Sequence, residues 1–130
     1  MIKENVLCTI CARKGSKDLK NKNFISLLGK PLIQHTIDQA KKIKAFTKVV
    51  ISSNSKKILE ISKKKVDYCI NRPEKLSNDY SSKISAIKHA LLISEKKFKV
   101  IFDTVIDLDV TSPLRSKADI NNALDIFFKK

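Results

Sequence analysis

The stretch Val6-Leu7-Cys8-Thr9-Ile10-Cys11, followed at once by Ala12-Arg13-Lys14-Gly15-Ser16-Lys17, decides how the rest of the chain is read. Six residues with Thr9 as the one polar member suit a strand buried on both faces of a parallel sheet. Residues 12–23 carry Gly15, four lysines and Arg13 without apolar periodicity, which predicts a loop at the strand's carboxyl end. A buried strand opening into a basic loop is the start of an α/β unit, and the remaining sequence continues in that style.

Gly29-Lys30-Pro31 sets a turn with proline at the first helical position, after which Leu32, Ile33, Ile37, Ala40 and Ile43 recur at helical spacing. Residues 48–52 read as a second buried strand, and Ser55 is an N-cap candidate for a helix carrying Ile58, Leu59 and Ile61. Residues 67–70 form a short third strand. A loop over 71–79 leads into a longer helix with Ile84, Ile87, Ala90 and Leu91 on one face, and His89 beside that face reads as structural or exposed. The fourth strand, 102–110, stops at Thr111-Ser112-Pro113. Ser116 and Asp119 have capping-box spacing, and Ile120, Ala123, Leu124 and Phe127 continue at helical period. Strand and helix alternate four times, the pattern of an α/β fold with an open, mostly parallel sheet, flanking helices and ligands at the carboxyl ends of the strands.

At 130 residues the chain is one domain or part of one. It lacks a run of about 18 apolar residues to span a bilayer and a signal-peptide start, so a cytoplasmic protein without membrane association is expected. The odd cysteine count, Cys8, Cys11 and Cys69, argues for reduced thiols. Cys8 and Cys11 form a C-x-x-C, but within a strand they face opposite sides, which disfavours a zinc or redox pair. The net charge of +14 raises nucleic-acid binding as an alternative. Most of the surplus is lysine on polar helix faces, and only Arg13, Arg72 and Arg115 are arginines, so a solvated lysine surface is the favoured reading. With two glycines, neither G-x-G-x-x-G nor a Walker A loop can be written.

The loop after the first strand, including Lys20-Asn21-Lys22-Asn23, offers cations, hydroxyl and amide groups around one glycine, a composition that suits a polyphosphate. Beyond that local chemistry, the ordered set A-R-x-G-S-K, K-N, L-x-G-K-P-L-I, R-P and T-S-P-L-R resembles the acylneuraminate cytidylyltransferase family, the CMP-sialic acid synthetases and their legionaminic and pseudaminic relatives. The resemblance implies a Rossmann-like nucleotidyltransferase fold of the nucleotide-diphospho-sugar transferase type, with residues 1–130 as the nucleotide-binding portion of a single, truncated domain. It also implies transfer of CMP from CTP to a nine-carbon sugar acid with release of pyrophosphate, aided by Mg²⁺.

Position by position, the resemblance puts Ala12, Arg13, Gly15, Ser16 and Lys17 in the loop around the CTP phosphates. Lys22 is placed on the phosphate under attack, which makes Arg13 and Lys22 the catalytic cations, and Asn23 helps hold the nucleotide. Arg72 lies near the cytosine, and Ser82 belongs to a further nucleotide segment. Asp109, Thr111, Ser112 and Arg115 lie by the acceptor sugar, with Asp109 also the metal candidate. A strand-ending turn is the structural alternative for Thr111-Ser112-Pro113.

The chain departs from the family in placing Cys11 where a proline is common, Lys83 where a second serine aligns, and Asp109-Val110 where many members have Gln-Pro. Family members also continue well past the last helix, so a homo-oligomer or a partner chain supplying the remainder is expected, with little turnover by the chain alone. A CTP-binding module without turnover is the alternative.

Overall fold

The computed structural model describes residues 5–12, 26–27, 30–73 and 83–108, with side chains described at 5–12, 33–73 and 83–108. Its centre is β1 (Val6–Cys11), whose first five residues are buried. The strand is hydrogen-bonded on both sides, in parallel, to β4 (Lys48–Ser53) and β6 (Thr104–Asp107), and β5 (Tyr68–Asn71) pairs in parallel with β4. The order β5-β4-β1-β6 means that the chain leaves β1 towards β4 and β5 on one side and later returns to its other side as β6. In such a sheet the crevice for a ligand opens outside the carboxyl ends of the strands where that direction reverses, here between β1 and β6. The doubly flanked, mostly parallel sheet expected from the alternation is present.

Two layers cover the sheet. On one face α1 (Leu32–Lys41) and α2 (Lys56–Ser62) pack over Val6, Cys8, Ile10, Val49 and Ile51. Ile33, Ile37, Ala40 and Ile43 are buried there, as their spacing predicts. Helix α1 starts at Leu32, one residue later than expected. Pro31 instead falls in β3 (Lys30–Pro31), which pairs antiparallel with β2 (Ser26–Leu27), a pairing too short to leave a sequence pattern. Ser55 caps α2 as expected, its hydroxyl accepting the Ile58 N–H at 3.3 Å, and Ser62 returns a bond from its own hydroxyl to the Ile58 carbonyl at 2.7 Å.

On the other face α3 (Lys83–Phe98) covers Leu7, Val50 and Ile70. The expected face of this helix needs correction. Ile84 is 61% exposed, and the fully buried line is Ala86, Ala90 and Ser94. Residues four apart stack on one side of a helix, and three small side chains in that line let α3 approach the sheet closely, whereas Ile84 and Ala90 point in different directions. His89 is half-buried, in keeping with a structural reading, and its Nδ1 has no hydrogen-bond partner. The helix ends with Lys99 in the left-handed region at φ 57°, and the Val100 N–H reaches back to the Glu95 carbonyl, a Schellman closure in which glycine would be less strained.

Strand β6 is shorter than the expected 102–110. Phe102 packs beneath α3 before the strand begins, and Leu108 turns into the α1/α2 layer just after it. The capping box at Ser116 and the helix expected after it lie outside the described residues. The lysines assigned to solvent, among them Lys41, Lys42, Lys56, Lys57, Lys63 to Lys65, Lys96 and Lys97, are exposed. Lys48 and Lys97 lie over the rings of Phe98 and Tyr68, at 5.0 and 5.1 Å. Among the described residues no helix is long and apolar enough to cross a membrane.

Candidate active site at the strand ends

Alternation along a strand puts Leu7, Thr9 and Cys11 on the α3 face of β1, and the same parity holds for Val50 and Ser52, and for Val105 and Asp107. The first member of each set lies in the apolar layer beneath α3. The later ones are polar, so the α3 face changes from hydrocarbon to hydroxyl, thiol and carboxylate as the strands approach their carboxyl ends. That change occurs at the β1/β6 crevice.

Asp107 is the hub. Its Oδ1 accepts the Thr9 hydroxyl at 2.8 Å, Lys83 Nζ lies 2.9 Å from Oδ2, and its charge acts on the Cys11 thiol. Lys83 is the first residue of α3, so the contact joins the start of that helix to the end of β6. Cys11 also feels the positive charges of Arg72 and Lys83. Burial first, and then the Asp107 charge, push its thiol from 9.0 up to about 12, so it stays protonated at neutral pH. Such a thiol serves as a donor, and it is a poor nucleophile or metal ligand. Cys8 packs in the opposite, α1/α2 layer, which separates the C-x-x-C pair as the strand reading requires.

Arg72 follows β5 and is buried, at 6% exposure. Its N–H donates to the Ser53 carbonyl at 2.8 Å, and Nη2 reaches the Ser52 carbonyl at 3.5 Å. That same Ser52 oxygen accepts the Ala12 N–H at 2.9 Å. The end of β4 therefore gathers two of the residues assigned from the sequence, Ala12 and Arg72. The Ala12 side chain turns into the α1/α2 layer, so only its backbone can serve the crevice. The Ser52 hydroxyl is fully buried without a hydrogen-bond partner.

The other assigned residues, Arg13, Gly15, Ser16, Lys17, Lys22, Asn23, Ser82, Asp109, Thr111, Ser112 and Arg115, lie outside the described residues. Sequence reading missed Thr9 and Ser52 as members of the cluster and treated Lys83 only as a departure. It gave Asp107 no role. The usable signal was a polar residue at matching parity near the end of each strand. A cavity of about 320 Å³ between α2 and β5, lined by Leu59, Glu60, Lys63, Asp67, Tyr68 and Cys69, lies at the amino end of β5, away from this cluster. Among the described residues no three His, Cys, Asp or Glu side chains converge as a metal site. Asp107, already holding the Thr9 hydroxyl and the Lys83 ammonium, does not fit a magnesium ligand.

Comparison with known proteins gives the family of the chain. The sequence profile of the cytidylyltransferase family matches residues 7–130. Post-translational flagellin modification protein B of Campylobacter coli is 46% identical over 123 residues, covering 94% of this chain and 52% of that protein. CMP-N,N'-diacetyllegionaminic acid synthase of Campylobacter jejuni is 42% identical over 109 residues, covering 83% of this chain and 46% of its own length. Among solved structures, CMP:2-keto-3-deoxy-manno-octonic acid synthetase complexed with CTP superposes with a TM-score of 0.72 at 22% identity, covering 98% of this chain and 48% of that one. At that identity the likeness shows the fold alone. The chain thus spans about half the length of the curated relatives it matches, and it belongs to the cytidylyltransferase family.

Proposed function

We propose that this chain binds CTP in the β1/β6 crevice and forms the nucleotide-binding portion of an enzyme that transfers CMP to a nine-carbon 2-keto sugar acid. The observation that supports it most is the buried Arg72, joined with Ala12 on the Ser52 carbonyl at the strand ends of a chain 42% identical to a CMP-legionaminic acid synthase. In the proposed reaction the anomeric hydroxyl of the sugar acid attacks the α-phosphate of CTP and pyrophosphate leaves. Charge grows on the phosphate oxygens as the leaving group departs. Arg13, Lys17 and Lys22, with backbone N–H groups around Gly15 and Ser16, would stabilise that charge, and holding both substrates in line supplies much of the acceleration. Asn23, Arg72 and Ser82 would hold the nucleoside, while Thr111, Ser112 and Arg115 would hold the sugar acid.

Mg²⁺, when bound, supplies neutralisation of phosphate charge, and Asp109 is its proposed ligand. Deprotonation of the attacking hydroxyl falls to the same carboxylate. Because the chain spans about half of its relatives' length, nucleotide binding and turnover are separate proposals. Calorimetry with CTP, ATP and UTP tests the first, and selective CTP binding is expected. Pyrophosphate release with CTP, Mg²⁺ and legionaminic, pseudaminic or N-acetylneuraminic acid tests the second, and little turnover is expected from the 130 residues alone. Equal affinity for all three nucleotides would remove the cytidylyltransferase reading of the crevice.

A further inference from the structure

The Asp107 carboxylate is held by side chains of two other elements. From β1 it takes the Thr9 hydroxyl at 2.8 Å, and from the first residue of α3 it takes the Lys83 ammonium at 2.9 Å. The carboxylate is 14% exposed and the Lys83 side chain 47%, so this contact is less screened than an open surface pair and remains reachable from solvent at its cationic end. The two elements so joined each border a segment that the proposed function gives to the nucleotide. Cys11 leads directly into Ala12 and Arg13, and Lys83 directly follows Ser82.

We propose that Asp107 is a positioning residue for CTP. By holding β1 and the start of α3 on one carboxylate, it fixes the separation of these two elements, whose ends border the segments assigned to the nucleotide. This inference rests on the CTP reading above. The carboxylate itself touches no substrate. It holds Thr9 and Lys83 by charge-assisted bonds, which are stronger than neutral ones and lose strength once the carboxylate loses its charge. The apolar layer beneath, Leu7, Val50, Ile70 and Ala90, packs without it. Removing the charge should therefore loosen the grip while leaving the fold in place.

The test is calorimetric titration of the full chain with CTP, run beside thermal melting, for the parent, Asp107→Asn, Lys83→Gln, the double variant and Lys83→Arg. A small misplacement of binding groups has large consequences, so each of the first two should bind CTP about tenfold more weakly. The double variant should be no weaker than either single one, because the two residues act through the same contact. Lys83→Arg keeps the charge and should regain most of the affinity. Melting temperatures should stay close to the parent's, which a merely structural contact would not predict. Should Asp107→Asn fail to fold, Lys83→Gln carries the test alone, since that side chain is half exposed. Parent-like CTP binding by the variants overturns the positioning role and leaves the CTP reading standing, whereas a parent that does not bind CTP removes both.

Discussion

The two faces of the sheet use the same strands differently. Towards α1 and α2, β1 presents Val6, Cys8 and Ile10 and then Ala12, and β4 presents Val49 and Ile51, apolar until Ser53 at the end of β4. Towards α3, the series begins with Leu7, Val50, Ile70 and Val105 and finishes with Thr9, Cys11, Ser52 and Asp107. One face is a continuous core. The other is a core for half its length and a polar cluster for the rest, where Thr9 and Asp107 are tolerated because they bond each other. The lesson is that a parallel strand can build stability and a site at once by changing chemistry along its length.

The comparison breaks most visibly if truncation on the two faces has the same effect. Ile51→Ala leaves a cavity in the continuous core and should cost about 2–5 kcal/mol, a loss that denaturant melts would register as a marginal or unfolded domain. Any fraction that still folds should bind CTP as the parent does. Arg72→Ala acts the opposite way. It should weaken CTP binding at least about tenfold by calorimetry, with Arg72→Lys recovering little of it, because a lysine cannot reproduce the planar fork.

A smaller effect separates the polar end from the core by pH. The folded Cys11 thiol ionises only at about 12, against 9.0 as its ordinary value, so the folded state holds the proton more tightly than the unfolded chain. The sign follows from linkage. This contribution to stability is complete below pH 9 and is lost as pH rises from there towards 12. Melts across that window should fall more steeply for the parent than for Cys11→Ala, and parallel slopes would refute the assignment. The smallest effect is expected at Ser52, whose hydroxyl has no partner. Ser52→Ala should change stability by less than about 1 kcal/mol. A clear loss of CTP affinity in that variant would show that the orphan hydroxyl serves the ligand.

Much of this arrangement was legible in the chain. The apolar run at Val6–Cys11, the helical spacing of Ile33, Ile37, Ala40 and Ile43, and the Ser55 cap each rest on local chemistry that the structure repeats. The ordered motifs also pointed to the family. Less legible was α3, where the apolar residues Ile84 and Ile87 outweigh Ala86 and Ser94 in any hydrophobic count, although the small residues face the sheet.

The sequence by itself determined the order of the main strands and of α1, α2 and α3, the parallel class of the sheet and the place of Ala12 and Arg72 at strand ends, because periodicity and composition are properties of short segments. Only the tertiary structure decided that Thr9, Cys11, Lys83 and Asp107 form one cluster. Thr9 and Asp107 are 98 residues apart in the chain, and they meet because β6 returns to the free side of β1 in parallel register, Thr9 opposite Asp107. No local pattern encodes that pairing, since it follows from the handedness of the crossover and the packing of α3 against the sheet.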